Sequence, residues 1–438
     1  MANPYLPNWE YIPNGEPRVF GDRVYIYGSH DHAASDAFCD NCLKVWSASV
    51  HDLDHWICHG EVFRTTDAPY HPADTDWTDG PLYAPDVVEK DGKYYLYAYI
   101  YGGKGCIAVS DRPEGPFTLL SQYEYDISDE VCCNGWFIDP GVQVDDDGRV
   151  YAACGFERSF MIELEENMYR TKDETLIDNI IPADGDFGFF EACSLRKIGK
   201  TYYFIYSGRP GSQLRYATSD SPMGPYTYRG IIIDNGELYP AGNNHGSICC
   251  INGQWYIFYH RMTNGTILSR RGCVERIQIL EDGSIPQVEM TSLGFSESLN
   301  PYEITPAEIA CVLLGGCMVT ERSIFSRTIT NITDDCVIGY KYFDFGEDVS
   351  NTPLKLHMQT RGNGSNSTVS VYLDDWKKSE PAAVCSIGTN DGIYTAELPP
   401  ITGRHAVYFI AKNSAGGWFP DSFQGRHLFE LEQFVFTK

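Results

Sequence analysis

The chain has 438 residues, 43% of them hydrophobic and 14% aromatic, with 41 Gly and 30 Tyr. Its formal charge of −27 argues against nucleic acid or an anionic membrane surface as a partner, because both require a basic face. The hydrophobic content excludes intrinsic disorder, and the surplus of aromatics and glycines points to strands joined by tight turns.

The opening Met1-Ala-Asn-Pro-Tyr-Leu-Pro7 has no basic segment followed by an apolar one, and no run of 18 apolar residues occurs. The expected location is therefore cytoplasmic, with no membrane span. Fifteen cysteines form no dense framework in so long a chain, so buried reduced thiols are expected. Cys39-Asp-Asn-Cys42 has zinc or redox spacing but lacks a second pair.

A glycine turn followed by an aromatic strand recurs five times. The copies are Gly21-Asp-Arg-Val-Tyr-Ile-Tyr27, Asp91-Gly-Lys-Tyr-Tyr-Leu-Tyr97, Asp147-Gly-Arg-Val-Tyr-Ala-Ala153, Gly199-Lys-Thr-Tyr-Tyr-Phe-Ile205 and Asn252-Gly-Gln-Trp-Tyr-Ile-Phe258. Their equivalent residues are Tyr25, Tyr95, Tyr151, Tyr203 and Tyr256. A short apolar strand precedes each copy, giving a hairpin, and further strand-like runs follow. A unit of about 50 residues with four short strands has the size of a propeller blade.

The repeat ends before the turn-rich segment Ser292-Leu-Gly-Phe-Ser-Glu-Ser-Leu-Asn-Pro301, which reads as a linker. Beyond it, alternating strands such as Leu354-Lys-Leu-His-Met-Gln-Thr360 and His405-Ala-Val-Tyr-Phe-Ile410 predict an antiparallel sandwich. The expected fold is all-β: a five-bladed β-propeller over residues 1–295, then a β-sandwich of jelly-roll type over 296–438.

In a propeller the first strands of the blades converge on one channel, so polar residues at their starts are the candidates for chemistry. Three carboxylates qualify: Glu16 in Pro13-Asn-Gly-Glu-Pro17, Asp139 in Trp136-Phe-Ile-Asp-Pro140, and Glu191 in Phe187-Gly-Phe-Phe-Glu-Ala192. Taken singly, each could be a strand-end carboxylate accepting backbone hydrogen bonds. Together, in apolar surroundings that raise carboxyl pKa values, they suit glycoside hydrolysis, in which one acid protonates the leaving oxygen and another carboxylate activates water.

These residues resemble the signature of family 43 glycoside hydrolases, which are five-bladed propellers acting on arabinose- and xylose-containing polysaccharides. The likeness is carried by Asn3-Pro-Tyr-Leu-Pro7, Tyr83-Ala-Pro-Asp86, Ile138-Asp139-Pro140, Phe190-Glu191-Ala-Cys-Ser194, Asn244-His245-Gly-Ser247 and Tyr259-His260. The resemblance implies an inverting enzyme with Glu191 as general acid and Asp139 positioning it and raising its pKa. Glu16 would be the base, with Glu16-Pro17 standing where the family usually has an Asp-Pro pair. Inversion would set base and acid roughly 6.5–9.5 Å apart.

Further residues are assigned beside these. Asp31 would be a sugar-binding or structural residue, and Arg270 would reach the channel. Trp77, Trp136 and Phe137 are candidate stacking walls for sugar rings. The family resemblance implies that His245 would contact a central ion, often calcium, or a water. The C-terminal part, through Val337-Ile-Gly-Tyr-Lys-Tyr-Phe-Asp-Phe345 and Phe429-Glu-Leu-Glu-Gln-Phe434, is similar to family 6 carbohydrate-binding modules, which implies a structural calcium ion with Glu308 and Glu432 as ligands. No organic cofactor is implied. The leading expectation is an exo-acting α-L-arabinofuranosidase on arabinoxylan fragments. The alternatives are a β-xylosidase, a bifunctional enzyme, or a catalytically silent carbohydrate-binding propeller. A protein-interaction scaffold is weaker still, because it needs no carboxylates around a channel.

Overall fold

The computed structural model describes residues 2–102, 104–121, 137–347, 352–378, 380–414 and 425–438. Among these, the helices are single 3₁₀ turns at Asp173–Thr175 and Ala307–Ile309, and the remaining regular structure is β-strand. The all-β expectation therefore holds. Among the described residues, no helix is long and apolar enough to cross a membrane. Thirteen cysteines fall among the described residues, and none of them is joined to another in a disulfide.

Five antiparallel sheets follow one another along residues 16–64, 82–121, 141–178, 189–234 and 248–277. The first four have four strands and the fifth has three, and within each the strands lie in chain order. Every sheet opens with the hairpin that the sequence repeat marks. Glu16 pairs with Tyr27, Asp86 with Tyr97, Gly141 with Ala153 and Ser194 with Ile205, each partner lying two residues beyond the repeat's tyrosine. In the fifth sheet Phe258 N donates to Ser247 O, the same register.

The first strands pack on one another in succession. Glu16–Phe20 lies against Leu82–Lys90, that strand against Gly141–Val144, and that one against Phe189–Ile198, while Ile248–Ile251 returns to Glu16–Phe20. The remaining step is made by hydrogen bonds, from Arg196 Nε to Ile248 O at 3.0 Å and between the Ser194 and Ser247 hydroxyls at 2.6 Å. These contacts form a continuous ring, and its inner face positions the site.

Residues beyond 300 build a six-stranded and a five-stranded antiparallel sheet. Their facing aromatics interlock, with the Phe434 ring 4.8 Å from Tyr340 and 5.0 Å from Phe409. Such pairs add about 0.5–1.5 kcal/mol each beyond the area they bury. The same hydrophobic cluster runs on into Tyr203, Ile232, Ile257 and Tyr259 of the fourth and fifth sheets. The N-terminal segment is fastened at both ends of this junction. Asn3 Nδ2 donates to Val274 O at 2.8 Å, and Tyr11 OH donates to Glu321 at 2.7 Å while accepting from Arg327.

Candidate active site

The chain enters the first strands through left-handed backbone at Asn14 (φ 54°), Ala84 (φ 25°), Asp139 (φ 51°) and Ala192 (φ 67°). Each lies two residues before the register position of its hairpin, as does His245 in the fifth sheet. Non-glycine residues in this region cost about 1–3 kcal/mol and persist where the surroundings enforce them, often at functional sites. The turns deliver Asn14, Asp139, Glu191 and His245 into one pocket of about 390 Å³. Arg270 closes it from the last strand of the fifth sheet, and Phe38, Tyr83, Tyr99, Phe156 and Phe190 line it.

Glu191 reaches the pocket because its strand is irregular, with register breaks on either side of it between Phe189 and Ser194. The break also turns the Ala192 N–H onto the Asp139 carboxyl. Burial raises Asp139 to about 7, opposed by that N–H and by Arg270. Burial and then the charge of Asp139 raise Glu191 to about 8. His245 Nδ1 lies 3.6 Å from Asp139 Oδ2. Burial first and Arg270 second lower its pKa to about 3, so its ring is neutral near pH 7. One buried acid at Glu191 is thereby kept protonated at neutral pH beside a second carboxyl, the arrangement that general-acid catalysis requires.

The pocket wall also carries an amide. Asn14 Oδ1 accepts from Arg270 Nη1 at 3.1 Å, and its Nδ2 donates to Ser29 Oγ at 2.9 Å. Arg270 is itself held by Asp31, through Nε to Oδ2 at 2.8 Å and Nη2 to Oδ1 at 3.0 Å, and stands over the Phe38 ring.

The structure brings Asp139, Glu191, His245 and Arg270 together and leaves Glu16 out. Glu16 sits two residues deeper along its strand, at the register of Asp86, Gly141, Ser194 and Ser247. Its Oε1 accepts from Ser194 Oγ at 2.7 Å and pairs with Arg196 at 2.7 Å. Asp86 beside it is paired with Arg18 at 2.6 Å and accepts from Val142 N. The position expected for the base is thus part of a buried polar layer that joins the sheets, and the residue at pocket level is Asn14.

That layer also bears on calcium. Two guanidinium groups, Arg18 and Arg196, already neutralise Glu16 and Asp86 there, and Arg270 is a third cation beside His245. The donor set around His245 therefore does not suit a divalent cation. In the C-terminal sheets Glu432 is paired with Arg361 and accepts from Gln359, while Glu308 faces the buried Arg271. Neither belongs to a cluster of three or more His, Cys, Asp or Glu side chains among the described residues.

Asp31 stands behind Arg270, with its side chain fully buried and outside the pocket lining. Phe137 is core, covering Gly105 between the second and third sheets. Trp77 packs at the edge of the core of the first and second sheets. Trp136 lies outside the described residues. The pocket's aromatic lining is instead made by the rings named above, of which Tyr83 and Phe190 belong to the motifs of the resemblance.

The family model for glycosyl hydrolases family 43 matches residues 16–285, the whole of the five-sheet part. The chain belongs to glycosyl hydrolase family 43. A relative named xylosidase/arabinosidase, from Thermoclostridium stercorarium, is 38% identical over 94% of this chain and 96% of its own length. The arabinoxylan arabinofuranohydrolase of Bacillus subtilis is 27% identical over 96% of this chain and 89% of its own. Among solved structures, a Bacillus subtilis family 43 arabinoxylan arabinofuranohydrolase in complex with cellotetraose covers 100% of this chain and 97% of its own, with a TM-score of 0.59 at 23% identity, a likeness of fold. A family 43 enzyme of Xanthomonas citri complexed with xylose covers 66% of this chain and 93% of its own, with a TM-score of 0.55 at 25% identity. As a family 43 member, the protein is a glycoside hydrolase, and its buried acid pair lies in the part that the family model covers.

Proposed function

We propose that the protein is an inverting exo-glycosidase that removes α-L-arabinofuranosyl groups from arabinoxylan-type oligosaccharides, with β-D-xylosides as the rival substrates. On this reading the five sheets are the blades of a propeller comprising residues 1–295, and residues 296–438 are a sandwich of the carbohydrate-binding type. The observation that carries the function is the Asp139–Glu191 pair, buried in a pocket closed by Arg270. Glu191 protonates the glycosidic oxygen, and Asp139 holds it and keeps its pKa high by like-charge repulsion. The names of the relatives support both sugars, and their sequences do not rank them.

Asn14 and Arg270 hold the side of the pocket where the attacking water would bind. An amide orients water and does not take its proton, so turnover through Asn14 is slow. A positioned base contributes about 10²–10⁴-fold, and Asn14→Asp is therefore expected to raise kcat on 4-nitrophenyl α-L-arabinofuranoside about 10²-fold. An unchanged or lower kcat would place the base elsewhere. The assay is run beside the β-D-xyloside and beside Glu191→Gln. Equal hydrolysis by Glu191→Gln and wild type, on substrates with poor leaving groups, would sink the assignment of the acid. The same amide favours a second reading, a sugar-binding pocket with little turnover. Calorimetric binding of arabinose or xylose, with no hydrolysis by either wild type or Asn14→Asp, would establish it.

A further inference from the structure

The loop between the strands Arg23–Gly28 and Cys42–Ser49 folds back so that its two ends meet. His30 Nδ1 lies 3.3 Å from Asp40 Oδ2, and Cys42 Sγ lies 3.7 Å from that oxygen and 3.8 Å from that nitrogen. His32 Nε2 approaches the same Asp40 oxygen at 2.8 Å. Tetrahedral zinc has metal–nitrogen and metal–oxygen bonds of about 2.0–2.1 Å and a metal–sulfur bond of about 2.3 Å. Those lengths put its nitrogen–oxygen edges near ~3.3 Å and its sulfur edges near ~3.6 Å. The triangle of His30, Asp40 and Cys42 matches three of these edges; His32 meets it only at Asp40, and a turn of its exposed side chain would bring it to the fourth corner.

A ligating histidine also needs a partner for its far nitrogen, usually a carboxylate that fixes the tautomer and orients the ring. His30 has one. Its Nε2 faces Glu10 Oε1 at 3.2 Å, and that carboxylate is held in place by Trp46 Nε1 and Tyr11 N. Lys44 Nζ lies 2.9 Å from His30 Nε2 and 3.5 Å from Glu10 Oε1. With metal on Nδ1, the Nε2–H donates to Glu10 and Lys44 pairs with Glu10 alone.

We propose that His30, His32, Asp40 and Cys42 form a structural site for zinc or a similar borderline-soft divalent cation that clasps the two ends of this loop. The remaining cysteine of the C-x-x-C pair is turned away, since Cys39 Sγ accepts from Arg270 Nη2 at 3.4 Å and lines the pocket. The clasp therefore fixes the segment that supplies Asp31, Phe38 and Cys39 to the surroundings of Arg270. Its role is to hold the shape of the pocket, since His30, Asp40 and Cys42 are not among the residues that line it.

The test is titration of the reduced full-length protein with Co(II), followed by zinc competition, compared with Cys42→Ser and His32→Ala. His32 has a side chain 57% exposed, so its loss leaves the fold intact. The expected result is one equivalent of Co(II) with tetrahedral d–d bands and a thiolate charge-transfer band, displaced by zinc. Cys42→Ser should lose the charge-transfer band, and His32→Ala should bind at least tenfold more weakly. Wild type and both variants binding Co(II) alike, or wild type giving only octahedral spectra, would overturn the proposal and leave the cluster a hydrogen-bonded network without metal.

Discussion

Glu16 and Asn14 stand two residues apart at one strand entry, and that step separates a structural charge from a reacting surface. Removing one member of a buried ion pair costs about 3–5 kcal/mol because its partner is left uncompensated. Glu16→Gln is accordingly expected to lower the unfolding free energy by about 3 kcal/mol while KM stays within about twofold; loss of kcat at full stability would contradict the structural role. The catalytic pair predicts a pH dependence. Glu191 acts protonated, so kcat/KM falls as pH rises past about 8. Asp139→Asn removes the like charge that helps raise Glu191, so the alkaline limb should move to lower pH, and a profile with an unmoved limb would refute the coupling. Asp139 and Glu191 were legible because acids rarely stand in such apolar company. Asn14 was not, because an amide at a strand entry has no charge to mark it. Counting back from the repeat's tyrosine does not find it either, since the turn between Val144 and Val150 is longer than that between Phe20 and Arg23. Only the pairing of strands reveals that Asn14 and Asp139 are equivalent.

At the level of the element, the break in the strand Phe189–Ile198 aims Glu191 and delivers the Ala192 N–H to Asp139. Ala192 holds φ 67°, which a β-branched side chain resists. Ala192→Val is expected to destabilise by about 1–3 kcal/mol and to lower kcat, whereas Ala192→Gly relaxes the backbone and should retain at least half of the activity. Thermal melts with steady-state rates check both, and a fully active, stable Val variant would show that the break is not needed. The glycine turns and aromatic strands of the five hairpins were plain in the sequence, because their chemistry is local. The break was not, because nothing in Phe189-Phe-Glu-Ala-Cys-Ser194 marks an irregular strand, and it is imposed by the neighbouring sheet.

At the level of the molecule, the cluster shared by the fourth and fifth sheets and the C-terminal sheets makes two folded parts one cooperative body. Calorimetry should show a single unfolding transition, and cutting the chain after residue 295 should leave exposed apolar surface and an aggregating product. Two well-separated transitions, or a soluble and fully active 1–295 fragment, would contradict this. The sequence pattern separated a repeating region from an alternating one. It could not show that they share a core, since periodicity reports which face of a strand is apolar and not what covers it.

The Asp31–Arg270 pair spans 239 residues and the Ser194–Glu16 bond 178. A ribosome adds roughly 5–20 residues per second, and early segments fold as they emerge. The first sheet must therefore wait many seconds for the arginine that completes its loop, and Asp31 stays exposed and unpaired until then. A nascent chain stalled before residue 270 has no assembled pocket, so catalytic competence appears abruptly near the end of synthesis.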